Sequence, residues 1–120
     1  MGEYVPKFTP GATRPRTASA AITGGQVVEI TGPDQVGPAS AGSTKWCGVA
    51  GFDVKAGERV TVYAGGVQFP IASGAVAAGD AVACAANGRV SKTTSSDGTV
   101  VGVAESSATD GQPVEIAFNR

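Results

Sequence analysis

Val54-Lys55-Ala56-Gly57-Glu58-Arg59-Val60 is one of four copies of a seven-residue phrase, and its reading decides the fold. The others are Ile22-Thr23-Gly24-Gly25-Gln26-Val27-Val28, Val76-Ala77-Ala78-Gly79-Asp80-Ala81-Val82 and Ala108-Thr109-Asp110-Gly111-Gln112-Pro113-Val114. Each runs apolar residue, two small or polar residues, glycine, then Gln, Glu or Asp, any residue, and valine. The glycine predicts a turn that needs positive φ. The residue after it suits the end of such a turn, and the valine starts a strand.

Working outward, short strands follow in order. Gln26–Ile30 leads through the turn Gly32-Pro33-Asp34 into Gln35–Gly37. After a small polar loop, Lys45–Phe52 is a strand, and Arg59–Tyr63 alternates with period two. Gly65-Gly66 reads as a two-residue hairpin turn into Val67–Ile71, which Pro70 confines to a sheet edge or a bulge. Ala81–Cys84 then returns through Asn87-Gly88 into Arg89–Ser91, Thr99–Ala104 follows a polar loop, and Val114–Phe118 closes the chain.

The second half restates the first. A shift of 54 residues lays Ala21 on Ala75, Gly25 on Gly79, Val28 on Val82, Val36 on Val90 and Val60 on Val114, without a gap. Gly48-Val49-Ala50 falls on Gly102-Val103-Ala104, and Pro33-Asp34 on Asn87-Gly88, a turn over a turn. One supersecondary unit is used twice, over 21–65 and 75–119. Two such units, neither able to bury its own apolar face, pack together. The expected fold is all-β, a small barrel or tulip-like sandwich over 21–120, preceded by an extended arm over 1–20. The register also places Cys47 over Val101 and Cys84 over Ile30, so each thiol replaces an aliphatic side chain and reads as a small buried hydrophobe.

The arm is defined by Pro6, Pro10 and Pro15, which oppose helix and central strand alike. It carries Lys7, Arg14 and Arg16 against Glu3, while the body is mildly acidic. Tyr4, Val5 and Phe8 are apolar groups that a solvated linker does not need. Two readings stand for it: a segment that a partner buries, and a frayed terminus.

Composition narrows function by exclusion. The chain has 120 residues and 42% hydrophobic residues, enough for one domain with a real core. Eighteen glycines and no leucine argue against a helical bundle. A net charge of −1 provides no field for nucleic acid or for an anionic membrane. No apolar run approaches the ~20 residues of a membrane span. The N-terminus lacks a signal-peptide core, so the expected place of synthesis is the cytosol. Histidine is absent, which removes the commonest general base and metal ligand. No zinc spacing and no phosphate-binding glycine loop occurs. Asp97 and Asp110 stand beside glycines as turn residues, and Trp46 and Phe52 read as core anchors. The expectation is a binding or structural module with no catalytic residue, cofactor or metal.

The order of several short motifs adds a resemblance. An entry Ala20-Ala21-Ile22-Thr23-Gly24-Gly25-Gln26-Val27-Val28 precedes Trp46-Cys47-Gly48-Val49-Ala50 and Lys55-Ala56-Gly57-Glu58-Arg59-Val60-Thr61-Val62-Tyr63. Gly66-Val67-Gln68-Phe69-Pro70-Ile71, the stretch 75–82, Val100–Ala104 and Gly111–Ile116 complete the series. Over nearly the whole chain this resembles the capsid decoration, or cement, proteins of tailed bacteriophages. The resemblance implies a tulip-like β domain with no catalytic residues, standing as a homotrimer on the outside of the virion head. Assembly would take place in the host cytoplasm. The partners it implies are the major capsid protein and further copies of the chain itself, with neither nucleic acid nor membrane. It also implies that the N-terminal arm crosses onto the shell or a neighbouring subunit, with Tyr4, Val5, Lys7, Phe8, Arg14 and Arg16 as its contact residues. The alternative is a receptor- or carbohydrate-binding β-module of a fibre or adhesin, with Trp46, Tyr63 or Phe69 as exposed stacking platforms. Exposure of Trp46 discriminates between the two.

Overall fold

A computed structural model describes residues 13–94 and 100–118. It is all-β, with ten strands and no α-helix among the described residues. The first five are β1 (Thr13–Ala18), β2 (Val27–Gly32), β3 (Gln35–Pro38), β4 (Trp46–Ala50) and β5 (Arg59–Tyr63). They close a barrel in the order β1-β3-β2-β4-β5. The second five are β6 (Val67–Gln68), β7 (Ala81–Cys84), β8 (Val90–Lys92), β9 (Val100–Ala104) and β10 (Ile116–Phe118). They form a sheet in the order β6-β10-β9-β7-β8.

These are the two copies of one unit, and the 54-residue register holds bond by bond. Thr13 pairs with Tyr63 and Arg14 with Val62, as Val67 pairs with Ala117 and Gln68 with Ile116. The parallel contact of Ala18 with Val36 returns as an isolated bridge between Ala72 and Val90. The bridge of Ile22 to Val54 returns as Val76 to Ala108. The second unit is thus the same arrangement left as an open sheet, with the closing contact reduced to the single bridge Ala72–Val90 beyond β6.

The four-fold phrase is a tight turn, as its glycine predicts. Gly25, Gly57, Gly79 and Gly111 have φ of 91°, 88°, 91° and 81°. In each copy the amide of the residue after glycine donates to the carbonyl three positions back, at 3.0–3.1 Å. Its side chain explains the preference for Gln, Glu and Asp. Gln26 Oε1, Glu58 Oε1 and Asp80 Oδ2 accept from the amides of Thr23, Lys55 and Ala77 at 2.8, 2.8 and 2.9 Å. One side chain and one amide therefore satisfy both backbone groups of the residue that opens the turn.

Three expectations change. The extended arm over 1–20 gives way at Thr13, because residues 13–18 are β1 and close the barrel against β3 and β5. Pro15 is tolerated because it stands in the half of β1 that pairs with β5 alone. Gly65 and Gly66 have the positive φ of a two-residue turn, but their flanking strands do not pair with each other. The turn carries the chain from one unit to the next. Phe52, read as a core anchor, is 49% exposed.

Each unit has its own core. In the first it includes Ala18, Val28, Val36, Val60 and Val62; in the second the sister residues Ala72, Val82, Val90, Val114 and Ile116 take the same places. Trp46 is 1% exposed and joins the second unit's core rather than its own, tilted against Phe118 with ring centroids 5.9 Å apart. Cys84 is buried and Cys47 packs half-buried at the edge of the first core, as aliphatic stand-ins should.

Candidate functional site

Two surfaces stand out, one on each unit. On the first, the β2–β3 turn places Asp34 at φ 59°, a left-handed conformation that Asp tolerates. Its carboxylate bridges two guanidiniums. Arg16 Nη1 donates to Oδ1 at 3.0 Å and Arg59 Nη1 to Oδ2 at 2.7 Å. Arg59 also donates to Thr17 Oγ1 at 2.9 Å. The Arg59 hydrogen bond holds the Asp34 carboxyl below its usual range, and Arg16 adds to the effect. Together with Pro15, Ile30 and Pro33 these side chains line a shallow cleft of about 500 Å³. Ile30 is 52% exposed beside it.

On the second unit, residues directly opposite one another form an apolar ladder across four strands. Ala81 faces Val103, Val103 faces Ala117, and Ala117 faces Val67. Val103 and Val67 are each 46% exposed. The sister ladder on the first unit is Val27, Val49, Tyr63 and Thr13. There Val27 and Val49 are buried against the second unit, and Tyr63 is partly exposed.

Of the residues read as arm contacts, Tyr4, Val5, Lys7 and Phe8 lie outside the described residues. Arg14 belongs to β1, opposite Val62. Arg16 also belongs to β1, and its guanidinium ties that strand to the β2–β3 turn. Among the stacking candidates, Trp46 is buried while Tyr63 and Phe69 are exposed. Asp110 stands in a turn, as expected of it, and its Oδ1 also accepts from the Gly74 amide of a separate loop at 2.8 Å. Asp97 lies outside the described residues. Among the described residues no group of three or more His, Cys, Asp or Glu side chains is placed to hold a metal ion.

The cleft and the ladder were missed in the sequence, although one signal for the cleft was available. Thr13–Ser19 lies over Val67–Ser73 at the same 54-residue shift, with Ala18-Ser19 matching Ala72-Ser73. That match places Arg16 in a repeated unit, not ahead of it. Pairing of Arg16 and Arg59 on one aspartate depends on strand order and could not be read.

Comparison with known proteins adds three findings. The model of a family described as phage cement protein matches residues 9–118. No curated protein matches the chain. Among solved structures the fold is similar to the head fiber gp8.5 N base of bacteriophage phi29, with a TM-score of 0.76 and 22% sequence identity. That alignment covers 90% of this chain and 93% of the other.

Proposed function

Since the chain belongs to the phage cement protein family, we propose that it decorates the outer surface of the expanded head and ties neighbouring major capsid proteins together. The family match over residues 9–118 carries this reading, and the likeness to a head fiber base supports the fold that serves it. A cement protein needs no reaction. It needs a rigid body and many contacts repeated by symmetry, and the barrel packed on its sister sheet provides the first. The chain acts as a homotrimer, so that weak contacts from three copies add through effective concentration. It binds without catalysis and without a cofactor.

Residues 1–12 precede the strand that closes the first barrel. Tyr4, Val5, Lys7 and Phe8 provide the apolar and basic groups with which this segment holds the shell. Burial of Tyr4, Val5 and Phe8 against the shell supplies the apolar contact by which it stays bound. The test is addition of purified protein to expanded, undecorated capsids. Full-length protein binds and raises the temperature at which the heads disrupt. Protein lacking residues 1–12 binds more weakly. Absence of binding by the full-length chain sinks the decoration role, and equal binding by the shortened chain sinks the role of the segment.

A further inference from the structure

The two units of one chain meet head to tail. Val27 and Val49, next to the first unit's core residues Val28 and Ala50, point to the opposite face of their strands. With Trp46 they are buried in one cluster with Cys84, Val101 and Phe118 of the second unit. Hydrogen bonds seal the seam. Gly88 N donates to Ala39 O at 2.9 Å, Gly42 N to Cys84 O at 2.9 Å, and Gln26 Nε2 to Asn87 O at 2.8 Å.

The 54-residue register shows what each side of this seam looks like on the other unit. The receiving residues Cys84, Asn87 and Gly88 correspond to Ile30, Pro33 and Asp34, which border the cleft. The inserting residues Gln26, Val27 and Val49 correspond to Asp80, Ala81 and Val103, which include the apolar ladder. No position occurs on both sides, so the contact is heterologous rather than two-fold. Each face is used once within the chain, and its sister is left open at Ile30 and Val103, although Ala64 and Cys47, the sisters of Phe118 and Val101, are buried and half-buried. Cys84 is 3% exposed and its sister Ile30 52%; Val49 is 4% exposed and its sister Val103 46%.

The geometry points to a second copy of this chain as the occupant of both open faces. The Ile30–Asp34 cleft of one copy receives the Ala81–Val103 ladder of the next, repeating between chains the seam that joins the units within a chain. One hydrogen bond of the seam must change in the repeat. In the internal seam Gln26 offers an amide to a backbone carbonyl. Its sister Asp80 has no amide to donate: Oδ2 accepts from the Ala77 amide and Oδ1 lies 3.9 Å from Lys92 Nζ, and in the repeat this carboxylate comes to a cleft where two guanidiniums surround one aspartate. Heterologous contacts close into a ring or run on as a filament. A ring of three two-unit chains repeats the seam six times, and this inference thereby deepens the self-association proposed above by naming its interface.

Light scattering and native mass spectrometry of the full chain, without capsids, test this. Wild type is a closed oligomer. Ile30→Asp and Val103→Asp each fall to the mass of a single chain with an unchanged circular dichroism spectrum, because both side chains are exposed in the lone protomer. Phe52→Asp, exposed but on neither face, keeps the wild-type mass. A mixture of Ile30→Asp and Val103→Asp forms dimers and nothing larger, since each variant retains one intact, complementary face. A monomeric wild type, a variant that keeps the wild-type mass, or a mixture that stays monomeric overturns the proposal. If both variants keep their mass but lose capsid binding, the shell is the occupant and the proposal again fails. Because the mass needs no capsid, failure of the decoration role is read separately.

Discussion

Val49 and Val103 occupy the same position of the two units, each directly opposite its partner on the neighbouring strand, yet Val49 is 4% exposed and Val103 46%. The difference is the covering unit, not the strand. Val49→Ala opens a cavity in the seam and costs about 2 kcal/mol, whereas Val103→Ala stays within about 0.5 kcal/mol in the lone protomer. Urea denaturation under monomeric conditions checks this. Equal losses at the two sites would mean that the seam is not the source of the asymmetry.

Glycine substitutions separate two reasons for having glycine. Gly79 has φ of 91° and open space where a Cβ would go, so Gly79→Ala bears conformational strain alone, about 1–2 kcal/mol. A Cβ on Gly102 overlaps the Ala117 carbonyl on the paired strand. Gly102→Ala therefore forces β9 and β10 apart and costs about 3 kcal/mol or more. Thermal denaturation that ranks the two in the reverse order contradicts this account.

Acid sensitivity follows from two carboxylates. Burial opposes ionisation of Glu29, but hydrogen bonds from Ser43 and Ser40 and the charge of Lys45 outweigh it and lower its pKa. The Asp34 carboxyl is lowered by Arg59 and Arg16. Both groups are more acidic folded than unfolded, so their contribution is complete above the ordinary carboxylate range. It is lost as the pH falls through their folded values, where the unfolded chain binds more protons. Replacing them together, Glu29→Gln with Asp34→Asn, flattens the acid limb of the stability–pH curve. An acid limb as steep as that of wild type would show that other groups control it.

Shortening the chain distinguishes the leading segment from the barrel. Loss of residues 1–12 leaves the cooperative thermal transition in place. Loss of residues 1–18 removes β1, opens the barrel between β3 and β5 and abolishes that transition. Scanning calorimetry reads both. A cooperative transition that survives the longer deletion would mean that β1 is an accessory strand.

The sequence by itself determined what is local. Four glycines with an acid or amide after them specify four turns, because positive φ and a side chain three residues from the amide it must reach are properties of adjacent residues. The 54-residue shift specified the repeat and, through it, the aliphatic character of Cys47 and Cys84. Size and hydrophobicity placed Trp46 inside but put Phe52 there as well, since they do not tell a core from a rim. Tertiary structure decided the rest. Only strand order brings Arg16 and Arg59 to the two oxygens of Asp34, and only docking of one unit on the other buries Val49 while exposing Val103. Two copies of one pattern contain no record of which face covers which, because that choice is made by the fit between folded surfaces.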